Sequence, residues 1–228
     1  MCGITGILNL DGEPVSPLIL KNMTDAIAHR GPDGEGQYID HYLGLGHRRL
    51  AIIDLSAAGH QPMMTKDGRL ILSFNGEIYN YNELRIELES LGYQFHSHTD
   101  TEVVLYAYAQ WGEQSLDRFN GMFAFAIWDK HKKELFLARD RYGIKPLYYT
   151  FIGNKFLFGS EVKAILANPS YHTEIDLEGL FEYFTFQNFF TDKTLFKNIK
   201  LLASGNYLRI SLLDKKLIQQ QYWDYHFL

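Results

Sequence analysis

Residue 2 is the only cysteine in this 228-residue chain, and it stands in Met1-Cys2-Gly3-Ile4-Thr5-Gly6-Ile7, at the head of an apolar run. A single cysteine cannot form an intramolecular disulfide, so a chain of this length must be held together by its own core. The 46% hydrophobic content is enough for one, and the length fits one large domain. Residues 2–9 read as a buried strand that begins with the thiol. Once the initiator Met1 is removed, as is common before a small residue, a thiol and a free α-amine share one residue. An α-amine titrates near ~8 and a thiol near ~8.5, so near neutral pH one can take the other's proton. The nucleophile then carries its own base. The plainer reading of Cys2 is a small buried hydrophobe at the start of a strand.

Charge and pattern narrow the classes. A net charge of −5, a pI near 6.0 and the lack of a Lys/Arg run argue against a nucleic-acid or anionic-membrane surface. The longest apolar stretches are too short to span a bilayer, and no basic segment leads into an apolar core at the N-terminus, so no signal peptide is expected. The expected location is cytoplasmic. There is no fixed-period repeat and no low-complexity segment.

The periodicities predict strands alternating with helices. Ser16-Pro17 supplies an N-cap and a proline at the first helical position, with Leu20, Met23 and Ile27 on one face and Arg30-Gly31-Pro32 as the stop. Residues 44–54 and 69–74 read as strands, with Asn75-Gly76 as a break directly after the second. Asn80 with Glu83, and Thr99 with Glu102, read as two capping boxes. They open helices striped by Leu84, Leu88 and Leu91 and by Val104, Tyr108 and Trp111. Strands follow at 122–128, 135–139, 146–151 and 155–158, helices at 160–166 and 176–186, and a last strand at 206–212. Strand blocks separated by helix blocks predict an α+β chain with antiparallel sheets.

Three segments bear on chemistry. Asn75-Gly76-Glu77 lies where a strand meets a loop, and there an amide side chain and backbone N–H groups can converge on one oxygen. One such donor to an oxyanion is worth roughly 3 to 4 kcal/mol; a hairpin turn is the common alternative for Asn-Gly. Arg48-Arg49 in a strand pattern sends one guanidinium inward and the other to solvent. Asp100 falls in the first turn of a helix, where the dipole alone favours an acid. His96, His98 and Asp100 alternate but lack a clear fourth ligand, so no metal is expected. His47 is the best candidate for a conventional Cys-His pair, with a buried, hydrogen-bonded histidine near the pocket wall as the other reading.

Five blocks occur in order: Met-Cys-Gly-Ile at the start, His29-Arg30-Gly31-Pro32-Asp33, His47-Arg48-Arg49-Leu50, Phe74-Asn75-Gly76-Glu77-Ile78-Tyr79-Asn80, and the run from Asp140-Arg141-Tyr142-Gly143-Ile144-Lys145-Pro146 to Tyr149. In this the chain resembles class II glutamine amidotransferases, and most of all the glutaminase domain of glutamine-hydrolysing asparagine synthetases. The resemblance implies a four-layer αββα N-terminal nucleophile hydrolase fold with two stacked antiparallel sheets. It implies that Cys2 attacks the glutamine γ-carbonyl, that Asn75 and Gly76 form the oxyanion hole, that Arg49 grips the α-carboxylate, and that Glu77 and Asp100 receive the α-ammonium. The residue types suit these roles, since an amino-acid headgroup needs a guanidinium and one or two acids facing each other.

On the same resemblance, residues 2–215 are expected to form the glutaminase domain. Residues 216–228 are then the start of a linker to a C-terminal ATP-dependent synthetase domain. No phosphate-binding loop occurs here, so no cofactor is expected in this domain, and ATP and Mg are expected in the other. The bulky ending at 221–228 reads as a chain that continues. The expected partners are glutamine and that second domain, with a homodimer left open. The ammonia acceptor is aspartate in the first reading and another carboxylate, such as a sugar acid, in the second. Amidotransferases making glucosamine phosphate or phosphoribosylamine, and a non-catalytic regulatory domain of the same fold, are further alternatives.

Overall fold

The structure is a computed structural model and describes residues 1–225. The last three residues of the stretch read as a linker therefore lie outside the described residues. The chain runs β1 (Gly3–Asn9), α1 (Pro17–Asp25), β2 (Gly34–Asp40), β3 (Leu43–Arg49), β4 (Met63–Met64), β5 (Leu70–Ile78), α2 (Tyr81–Ser90), α3 (Asp100–Trp111) and α4 (Ser115–Arg118). It continues through β6 (Gly121–Asp129), β7 (Glu134–Arg139), β8 (Tyr148–Ile152), β9 (Lys155–Gly159), α5 (Val162–Leu166), α6 (Leu177–Phe186), β10 (Lys200–Leu201), β11 (Asn206–Ser211) and β12 (Leu217–Gln221).

Two six-stranded antiparallel sheets result, in the orders β10-β8-β9-β1-β3-β2 and β12-β11-β7-β6-β5-β4. Strand β6 shows why they stack. Ala124, Ala126 and Trp128 point into the core between the sheets, and Phe123, Phe125 and Ile127 point the other way, into a second core under α2 and α3. Both faces are buried, so the strand reads as a continuous apolar run. A third core closes the other side, where Leu20 and Met23 of α1 and Ile165 of α5 pack on Ile7 and Leu157. The layers are helix, sheet, sheet, helix.

The local signals behaved unevenly. Ser16 caps α1, with Pro17 at its first position, and Thr99 caps α3 by accepting from Glu102 N–H. Glu102 does not return the bond; its carboxylate takes the N–H groups of His96 and Ser97 instead. Asn80 makes no cap. Its side chain bridges to Arg118 O and Asn120 N, so a tertiary tie replaces the expected local one. The strand expected over 44–54 ends at Arg49, and the edge strand β2, polar and half exposed, carries too little alternation to announce itself. Residues 217–221, inside the stretch expected to begin a linker, pair with β11 as an edge strand.

Asn75-Gly76 is not a break. Strand β5 continues through both residues to Ile78, with Gly76 opposite Phe123 of β6. Glycine is required there for space: a Cβ would lie 2.5 Å from Met122 O and 2.8 Å from Phe123 Cα, both backbone atoms that cannot swing aside. Gly76→Ala is therefore expected to force β5 and β6 apart at a cost of about 1–3 kcal/mol. Thermal unfolding would register this as a fall of roughly 2–4 °C per kcal/mol. An unchanged melting temperature would show that the pair separates freely.

Candidate active site

Cys2 sits at the mouth of β1, an inner strand of its sheet between β3 and β9. Its sulfur accepts from Leu50 N–H at 3.4 Å and lies 3.6 Å from Leu50 O. Arg30 Nε donates to the Cys2 carbonyl at 2.8 Å, and Arg30 Nη1 reaches Glu161 Oε1 at 3.0 Å, which fixes the backbone behind the thiol. Burial pushes the Cys2 thiol above its ordinary range. The Leu50 N–H and the positive N-terminus oppose that shift, and Asp100 adds to it.

Cys2, Arg49, Asn75, Gly76, Glu77 and Asp100 all line one cavity of about 160 Å³. That is more than ten times what a single water needs, so the cavity has room for a small solute. Each residue arrives from a different place. Arg49 ends β3, and residues 75–77 belong to the facing sheet. Asp100 opens α3 and is buried, its Oδ2 accepting from Ile78 N–H at 3.0 Å. Burial, reinforced by the neighbouring Glu77 charge and opposed by the Ile78 N–H, lifts Asp100 to about 6.

The arginine pair divides as alternation requires. Arg48 faces outward and pairs with Asp25 and Glu35. Arg49 turns into the cavity, with Nη1 donating to Ser56 O at 2.8 Å and Nη2 to Asp54 O. The loop after β3 is thus folded onto that guanidinium, and Gly59 leaves room for it: a Cβ there would lie 2.2 Å from Nη2.

Two donors belong to residues that line this cavity. Asn75 Nδ2 is buried and has no hydrogen-bond partner among the described residues, a condition that costs about 1–3 kcal/mol in a folded protein. The Gly76 N–H follows from the ladder. Phe123, its partner on β6, uses its own N–H and C=O on Asp140, so Gly76–Phe123 is a non-hydrogen-bonded pair and Gly76 N–H points away from β6. On that side of β5, Phe74 N–H goes to Gln61 Oε1 at 2.7 Å and Ile78 N–H to Asp100. With a period of two, Gly76 N–H lies between them and faces the cavity.

His47 does not join the thiol. It is fully buried, its Nε2 lies 3.1 Å from Phe74 O, and desolvation lowers it to about 3, so it is neutral. The alternating His96-His98-Asp100 trio also divides, since Asp100 turns to the cavity while the Glu102 carboxylate holds the backbone at His96.

A family model described as the glutamine amidotransferase domain matches residues 1–223. The chain belongs to that family. This glutamine amidotransferase domain is 43% identical over 215 residues to glutamine-hydrolysing asparagine synthetase 3 of Bacillus subtilis and 42% identical over 213 residues to asparagine synthetase 1 of that organism. Each alignment covers 92% of this chain but only 35% and 33% of those relatives, so the chain spans about a third of their length. Among solved structures, glutamine phosphoribosylpyrophosphate amidotransferase from B. subtilis superposes with a TM-score of 0.73 at 20% identity. The match covers 97% of this chain and 49% of that one. The shared architecture is the N-terminal nucleophile hydrolase fold expected from the five sequence blocks.

Two residues at or beside the cavity went unassigned in the sequence, although both lie in those blocks. Arg30 is the clamp on the Cys2 carbonyl. Lys145 lines the cavity itself.

Proposed function

We propose that this domain hydrolyses glutamine to glutamate and ammonia, with Cys2 as nucleophile after removal of Met1. The observation that carries this reading is the buried, unpartnered Nδ2 of Asn75 in the cavity that holds the only thiol. A buried donor without a partner is costly and is repaid when an oxyanion forms against it.

In this reading the free α-amine of Cys2 takes the thiol proton and the sulfur attacks the γ-carbonyl. Asn75 Nδ2 and Gly76 N–H stabilise the oxygen of the tetrahedral intermediate. The amine then hands its proton to the leaving nitrogen, ammonia departs, and water cleaves the γ-glutamyl thioester with the amine again as base. Arg49 receives the α-carboxylate, and Glu77 and Asp100 receive the α-ammonium. The ammonia passes to an ATP- and Mg-dependent synthetase domain with aspartate as acceptor, a reading supported by the relatives' names and by their greater length. The exposed stripe Leu177, Phe181 and Phe184 on α6 supports a further domain covering that face, since such apolar stripes are usually occupied.

The deciding experiment is intact mass before and after treatment with diazo-oxo-norleucine, a glutamine-analogue electrophile, with peptide mapping of the product. Loss of Met1 and one adduct on Cys2 is the expected result. A processed chain that takes no adduct would favour the non-catalytic reading.

Arg49→Ala tests the headgroup contact. Leaving a carboxylate without its partner costs about 2–4 kcal/mol, so KM for glutamine should rise roughly 30- to 1,000-fold with a smaller change in kcat. An unchanged KM would confine Arg49 to holding the Asp54 and Ser56 carbonyls.

A further inference from the structure

Lys145 is 4% exposed and lines the cavity, yet it forms no ion pair among the described residues. Its ammonium has one hydrogen-bond partner, the Met1 sulfur at 3.3 Å. A thioether is a weak acceptor, and this one leaves with Met1. The turn that carries Lys145 is built with unusual rigidity. All of Asp140's carboxylate capacity is spent on backbone: Oδ1 takes the N–H groups of Tyr142 and Ile144, and Oδ2 those of Phe123 and Lys145. Arg139 wraps the other side, with Nε on Lys145 O at 2.8 Å, Nη1 on Leu202 O at 2.5 Å and Nη2 on Gly143 O at 2.6 Å. Gly143 supplies the left-handed step at φ +65. A turn held this firmly delivers one cation to one place.

That place is the N-terminus. The Lys145 ammonium touches the residue before Cys2, and the Arg30 guanidinium touches the Cys2 carbonyl. Arg30 is already compensated, because Glu161, held down at about 2 against the cost of burial by Arg30, Lys163 and His29, pairs with it. Asp140's charge is absorbed by four backbone amides. The carboxylates that face the site from β5 and α3 are Glu77 and Asp100, and Arg49 faces it from β3. Burial, then Arg30, push Lys145 below its ordinary value, while Asp140, Glu77 and Cys2 draw it back up. Lys145 is thus a cation without an ion pair among the described residues, in contact with the residue whose removal exposes the Cys2 amine.

We propose that Lys145 is a positioning residue for the Cys2 α-amine, its ammonium disfavouring a second positive charge there and keeping the amine as free base near neutral pH. This rests on the reading of that amine as the catalytic base. A neighbouring like charge disfavours the protonated form of an amine, so a group that titrates near ~8 when free and is lowered by about one pH unit becomes about half unprotonated at pH 7.

Because Cys2 is the only cysteine, 15N- and 13Cβ-labelled cysteine gives a single amine and a single methylene to follow by NMR, with Met1 loss verified by intact mass. In the unsubstituted chain the amine midpoint should fall below the free value. Lys145→Met, which fits a buried site, should raise it by about one pH unit, and Lys145→Arg should restore it. The acid limb of kcat/KM should move with the midpoint, giving about a tenfold loss at pH 6.5 that is recovered by pH 9. If Lys145→Met leaves the amine midpoint in place, or if activity falls equally at every pH and Lys145→Arg does not restore it, the proposal is overturned. The two readings fail separately: an amine that shifts as expected in a chain that never turns over glutamine would uphold the role of Lys145 and remove the glutaminase assignment.

Discussion

Cys2→Ala is expected to eliminate glutamine hydrolysis while the chain melts within about 4 °C of the unsubstituted protein. The two halves of that expectation have different origins. Catalysis depends on a nucleophile, a base and oxyanion donors acting as a unit, and loss of the nucleophile from such a unit costs up to about a millionfold. No other thiol exists to substitute for it. Stability depends little on the sulfur, which is half-buried and makes only two long contacts with Leu50. Their loss is worth on the order of 1 kcal/mol, or about 2–4 °C for a chain of this length. Residual turnover near the original rate would remove Cys2 as nucleophile. A large fall in melting temperature would make Cys2 a packing residue first.

Retention of Met1, or any N-terminal extension, is expected to lower glutaminase activity by about 10²- to 10⁴-fold, the usual contribution of a general base. An amide nitrogen has no basic lone pair, so the thiol proton loses its acceptor. Neither His47 nor Asp100 is placed to replace it: His47 is buried on Phe74 O and neutral, and Asp100 is bound to Ile78 N–H. Met1 also occupies space, because it lines the cavity and its sulfur sits on Lys145. The steric effect should raise KM and the loss of base should lower kcat, so steady-state kinetics on processed and unprocessed chains separate the two. Full activity in an extended chain would exclude the self-base mechanism.

Much of the candidate site was legible because the residue types that suit this chemistry have few substitutes. A lone thiol at residue 2 and an acid at a helix N-terminus each carry a local signature, the Arg48-Arg49 pair promises one inward guanidinium, and Cys2, Arg49 and Asp100 line the same cavity. The Asn75-Gly76 pair was found for its donors and misread in its geometry. As a dipeptide it signals a turn, but here the glycine lets two central strands approach, and only the partner strand reveals that need. The capping box at Asn80 failed for a similar reason, since Arg118 and Asn120, some forty residues away, outcompete the local bond. The strands β2 and β12 were missed because edge strands with half-exposed, polar sequence lack the alternation that burial imposes.

The chain's own order of residues determined that it would build antiparallel sheets with helices, that no intramolecular disulfide would hold it, and that a lone thiol would stand at the head of the first strand. These follow from side-chain periodicity and from the chemistry of one residue, both of which are local. Only the tertiary structure decided that Gly76 N–H is free to face the cavity, that Arg49 rather than Arg48 enters it, and that Lys145 stands beside the N-terminus 143 positions from Cys2. Those outcomes depend on which backbone and side-chain groups have already satisfied one another across distant strands, a competition that no local pattern encodes.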